Sequence, residues 1–169
     1  MRPRLCASLA LLALASVPAH AERKLRAVIM TADATLTLNA TARGPRLLAL
    51  RPAQGGEWIN TAPADLPSVL ERQGRHVPVH WHLVPRRCTV GPRRVTFVYE
   101  STHPHLRLLW QWFARARTGP LEHRVTLENL GTGSYWLTPM DSLRLAWRVA
   151  ARRPLRQFYV EKGAGQPTA

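Results

Sequence analysis

The chain has 169 residues, 46% hydrophobic and 20% charged, a balance that can bury one domain-sized core and that excludes a disordered or low-complexity protein. Its formal net charge is +14, and of 24 cations only Lys24 and Lys162 are lysine. The arginines are spread along the chain in ones and twos, whereas a nucleic-acid interface gathers them into a patch or stripe; no nucleic-acid partner is expected, only a weak affinity for acidic polymers or membrane surfaces.

In chain order, residues 1–21 read as a secretory signal peptide. Arg2 and Arg4 supply the positive start, residues 5–17 are apolar or small, and Ala19-His20-Ala21 places small residues at the cleavage positions. The apolar run is shorter than the roughly 18 to 20 residues that span a bilayer. Cleavage after Ala21 is predicted, with a secreted or periplasmic location, and residues 22–169 form one domain without a membrane span. Cys88 then remains as a single thiol, expected as a packed strand residue rather than a nucleophile.

The apolar residues recur with period two almost throughout, which signals strands. Residues 35–41 set Leu36, Leu38 and Ala40 on one face, and residues 46–50 form a short apolar run. Residues 52–67 read as an irregular surface loop, and residues 64–73 as the one short helix, capped by Asp65 or Ser68. Residues 76–84 place Val77, Val79, Trp81 and Leu83 opposite His76, His80 and His82. Residues 94–100 alternate; residues 106–116 are apolar on both faces around Leu108, Leu109, Trp110, Trp112 and Phe113, as suits a central strand. Residues 122–129 and 143–149 alternate again, and a last short strand is predicted over 157–160. Gly91-Pro92, Thr118-Gly119-Pro120 and Asn129-Leu130-Gly131 punctuate these runs. Short strands at such spacing define an all-β protein, an antiparallel β-sandwich, with helix below about 15%. The stretch 160–169 is polar and reads as the entry to a further segment, so the sandwich is expected to be incomplete, with some apolar side chains of residues 106–116 exposed.

Chemistry is sparse. His80 with His82, and His103 with His105, have a spacing that can share a metal, but histidines on a polar strand face are the simpler expectation, and no metal or cofactor is predicted. The acids do not form an evident dyad of the kind glycoside hydrolysis needs, so no catalytic residue is assigned. Core packing is expected for Trp81, Trp110, Trp112, Trp136 and Trp147. Trp58, with Asn60 beside it in Gly55-Gly56-Glu57-Trp58-Ile59-Asn60, is the expected exposed ligand contact.

Two stretches resemble a known family. Gly119-Pro120-Leu121-Glu122-His123-Arg124-Val125-Thr126-Leu127-Glu128-Asn129-Leu130-Gly131 and Phe158-Tyr159-Val160-Glu161-Lys162-Gly163-Ala164-Gly165 resemble the N-terminal supersandwich, similar in shape to galactose mutarotase, of exported α-galactosidase-like proteins of glycoside hydrolase family 36. The resemblance implies a non-catalytic, carbohydrate-associated domain that supports a catalytic barrel, with the catalytic aspartates in that barrel and none in this chain. Two alternatives stay open. One is a mutarotase-like epimerase pairing Glu100 or Glu128 with His80, His82 or His123; the other is a periplasmic binder of metal or polyanion.

Overall fold

The computed structural model describes residues 24–64, 66–138 and 143–149, and within them the chain is all-β. The strands are β1 (Leu25–Met30), β2 (Ala34–Thr41), β3 (Gly44–Pro52), β4 (Trp58–Asn60), β5 (Val69–Arg72), β6 (Arg75–Pro78), β7 (His82–Leu83), β8 (Thr89–Val90), β9 (Arg94–Ser101), β10 (Leu106–Ala114), β11 (Leu121–Asn129), β12 (Trp136–Leu137) and β13 (Trp147–Val149). They form three antiparallel sheets: β1-β2-β3-β4-β13; β11-β10-β9-β7, with β8 also on β9; and a small sheet β12-β5-β6.

The first two sheets enclose the core. Ala27, Ile29, Leu36, Leu38, Ala40 and Leu47 meet Val95, Phe97, Tyr99, Leu108, Trp110, Trp112 and Ala114. Alternation accounts for this membership, because every second side chain of a strand points the same way. In β3 the alternation breaks: Leu47 and Leu50 are three apart, yet both turn toward the core. A bulge resolves the mismatch. Leu38 pairs with Leu47 and Thr37 with Ala49, which leaves Leu48 as the extra residue. Phe97 and Trp110 stack across the centre at 5.9 Å. The Tyr99 hydroxyl crosses the sandwich and donates to the Thr41 carbonyl at 2.9 Å. At the opposite end the Gly119 amide donates to Asp33 Oδ2 at 2.6 Å and the Ala32 amide to the Arg117 carbonyl at 2.8 Å, closing the turn after β1 onto the loop after β10.

Three expectations are corrected. No helix covers 64–73: residues 69–72 are β5, and Gln73 (φ 51°) with Gly74 (φ 72°) makes a two-residue hairpin into β6, the geometry of a type I′ turn. Residues 76–84 are not one strand: β6 pairs with β5 in the small sheet, with one further in-register bond from the Val79 amide to the Ser68 carbonyl at 2.8 Å, whereas His82–Leu83 pairs with β9 in another sheet; Val79 is buried. Within 52–67, Trp58–Asn60 is a strand. The expected exposure in 106–116 is also absent for Leu108, Trp110 and Trp112, each covered by the first sheet to 6% exposure or less. Phe113, on the outer face, lies under the guanidinium groups of Arg94 (5.1 Å) and Arg124 (5.7 Å). The strand predicted over 157–160 and the signal segment lie outside the described residues.

Cys88 has a structural task. A one-turn 3₁₀ segment, Pro85–Arg87, interrupts the edge between β7 and β8. The Val84 amide still donates to the Val98 carbonyl, but the Val98 amide donates to Cys88 Sγ at 3.3 Å, and the thiol donates to the Val84 carbonyl at 3.4 Å. The sulfur fills the place of a missing ladder bond. Burial pushes its pKa up, the wrong direction for a nucleophile.

Candidate ligand-binding site

Trp58 and Asn60 both face inward. Asn60 is 4% exposed. Its amide donates to the carbonyls of Leu47 (2.8 Å) and Arg144 (3.3 Å), and its Oδ1 accepts from the amides of Ala62 (3.1 Å) and Ala146 (2.8 Å). Two donors and two acceptors are the whole capacity of the side chain, so Asn60 is a clamp that joins β3, β4 and β13, with nothing left for a ligand. Trp58 is half-buried and packs edge-to-face on Trp147 at 6.0 Å.

The exposed indole is Trp136 instead. It is 75% exposed, where the strand periodicity predicts a core position. β12 has only two residues and lies at the edge of the small sheet, where one face is covered and the other is open. In register, Trp136 pairs with Glu71, and Glu71 with His76. Opposed residues of antiparallel strands project from the same face, so these three form one row across the sheet, about 10 Å from end to end. The opposite phase is anchored: Leu70, 1% exposed, packs with Val79 and Leu106. Tyr135 fixes the approach to β12, sitting against this cluster with Arg72 over its ring at 5.6 Å. Among the described residues no hydrogen bond or ion pair engages the side chains of Glu71 or His76. The row thus offers a hydrophobic plate, a carboxylate and an imidazole, all accessible.

A second row crosses the outer face of the other sheet: His82, Glu100, Arg107 and Glu128, adjacent in register. It contains the glutamates and one histidine of the epimerase alternative. Arg107 Nε donates to Glu100 at 2.9 Å and its NH1 to Glu128 at 3.2 Å, and Arg87 reaches Glu100 at 3.2 Å. The hydrogen bond from Arg107, helped by the charges of Arg87, Arg107 and His82, holds the Glu100 carboxyl below the usual range. A carboxylate so stabilised is a poor general base. His123 lies on the other side of the sheet, wedged against Trp110 and Trp112 at 5.0 and 4.7 Å, and burial pushes its pKa down to about 4; it cannot serve this row as an acid. His80 and His82 do not join a third ligand: among the described residues no three His, Cys, Asp or Glu side chains group as metal ligands. Nor is any described helix long and apolar enough to cross a membrane.

Compared with known proteins, the chain matches no family model, no curated sequence and no solved structure.

Proposed function

We propose that the chain is an exported, non-catalytic, carbohydrate-binding β-sandwich that works beside a glycosidase barrel, and that Trp136, Glu71 and His76 form its sugar contact. The observation that carries this reading is the open row on the small sheet. An indole face offers apolar surface to the C–H face of a pyranose ring, and the neighbouring polar groups hydrogen-bond its hydroxyls. A row of about 10 Å accommodates one or two rings. The absence of a free, poised base in the Glu100 row favours binding over epimerisation. The resemblance to α-galactosidase-like proteins makes galactose-containing oligosaccharides the first ligands to try.

Titration with galactose-containing oligosaccharides, followed by tryptophan fluorescence and calorimetry, tests the proposal. Saturable binding is expected, at least about tenfold weaker in Trp136→Ala, corresponding to about 1.4 kcal/mol, and unchanged in Trp58→Ala. Binding that ignores Trp136, or no saturation with any oligosaccharide, overturns it. Export is tested separately: N-terminal sequencing of the chain recovered from the periplasm or medium should begin at Glu22.

A further inference from the structure

We infer that the end of the first sheet carries an oxyanion site, built by Lys24, Arg43 and Arg46 for a phosphate or sulfate group. Asn39 pairs with both Arg26 and Arg46, and Leu25 with Ala40, so Arg26, Asn39 and Arg46 lie in one row on the outer face. Lys24 stands just beyond its end. Arg43 enters from the turn between β2 and β3. The opposite wall is the segment Pro63-Ala64, which approaches closely because Gly44 (φ 133°) has no side chain: a Cβ there would lie 3.3 Å from Ala64 Cβ and Leu66 Cγ. Together these residues line a cleft of about 450 Å³.

Two features support an anion. Among the described residues no acid lines the cleft, Lys24, Arg43 and Arg46 form no ion pair there, and five ion pairs occur elsewhere. The site is also held in place: Thr41 Oγ1 accepts from the Arg43 amide at 3.1 Å and donates to the Gly44 carbonyl at 3.3 Å, while Tyr99 anchors the Thr41 carbonyl from beneath. A tetrahedral oxyanion in the cleft accepts from the cationic side chains that line it and neutralises like charges that otherwise repel. The site is separate from the Trp136 row and does not depend on a sugar.

Net positive charge means that any salt will act on this protein by screening, so the experiment holds ionic strength constant. Inorganic phosphate, inorganic sulfate and galactose 6-sulfate are exchanged for chloride while melting temperature and heat of binding are followed. Saturable stabilisation with low-millimolar affinity is expected, lost in Arg46→Gln and in the double variant Lys24→Gln/Arg43→Gln. It should be weakened several-fold in Arg46→Lys, which keeps the charge but not the planar fork of guanidinium donors. Arg86→Gln removes one charge from an exposed arginine elsewhere and should bind like the parent. If galactose 6-sulfate binds much more tightly than either free ion, the natural ligand is an ester; equal binding identifies the free ion. Stabilisation that never saturates, matches chloride, or falls equally in Arg86→Gln overturns the site and leaves diffuse screening.

Discussion

The two large sheets turn opposite characters to solvent. Across β9, β10 and β11 the charges form a lattice: Arg107 lies between Glu100 and Glu128, Arg87 joins Glu100, and Arg115 meets Glu122. Across β1 to β4 the cations near Asn39 have no acidic partner among the described residues, and Val28, Met30 and Ile59 are exposed beside them. Register explains the difference. On the second sheet Arg107 falls directly opposite both glutamates, the cross-strand arrangement that favours opposite charges. On the first sheet Arg26 and Arg46 flank the neutral Asn39. The same arginine-rich composition therefore stabilises one face and leaves the other ready to receive charge from outside.

The sharpest way to break this comparison is from the inside. Without an ion-pair lattice, the outer strands β4 and β13 depend on Asn60. Asn60→Ala leaves two carbonyls and two amides without their partner, and should destabilise the chain by about 3 kcal/mol, read by denaturant unfolding. Asn60→Asp keeps the two acceptor bonds and loses the donors, so it should fall between Ala and the parent at most. A loss below about 1 kcal/mol for Asn60→Ala would mean that the two strands are held by Trp58 and Trp147 instead.

The same substitution on each face gives the next largest contrast. Arg107→Gln removes the cation that links Glu100 on one neighbouring strand to Glu128 on the other and should lower the melting temperature by several degrees; Arg26→Gln removes one of several unpaired like charges and should leave it unchanged or raise it slightly in chloride. The difference should shrink at high salt, because both effects are electrostatic and solvent-accessible. If both variants lose stability equally, the faces do not differ in the way their registers indicate.

Acid should separate the core from the lattice. Burial lowers the His123 pKa from 6.5 to about 4, so the unfolded chain binds a proton that the native chain refuses. Stability from this residue is level above about pH 6.5 and falls as pH drops toward 4. The lowered carboxyl of Glu100 also loses its contribution in acid, but only once the ordinary glutamate range is reached. His123→Phe should therefore flatten the melting temperature between pH 6.5 and 5 and leave the steeper loss below it. A slope unchanged in His123→Phe would assign the sensitivity elsewhere.

Much of the fold was legible because β2, β9 and β11 follow a period of two over eight or nine residues, and β10, apolar on both faces, reads as a central strand. β1 was missed because Ala27, Val28, Ile29 and Met30 are all apolar, and no face stands out until the sheet defines one. β5 was mistaken for a helix because four residues are too few to show a period, although Gln73-Gly74 carried a turn signal. The candidate site was less legible. Glu71 and His76 meet across the local Gln73-Gly74 hairpin, but Trp136 joins them through a strand more than 60 residues away, and no local pattern encodes that register. Trp58 looked exposed among glycines, yet Asn60 two residues on draws its strand into the sheet.

The smallest expected effect on stability carries the most functional weight. Trp136 is 75% exposed, whereas Trp110 is 4% exposed. Truncating a buried tryptophan costs about 3–5 kcal/mol in lost burial and cavity formation; truncating one that already lies in water removes little and should fall within about 0.5 kcal/mol. Trp136→Ala should therefore unfold like the parent, with the same denaturant slope, while Trp110→Ala unfolds far earlier. This separation makes the sugar experiment interpretable, since a loss of binding in a fully stable variant is a loss of contact and not of fold. A large destabilisation in Trp136→Ala would instead show that the indole is covered in solution, and the row with Glu71 and His76 would no longer be an open surface.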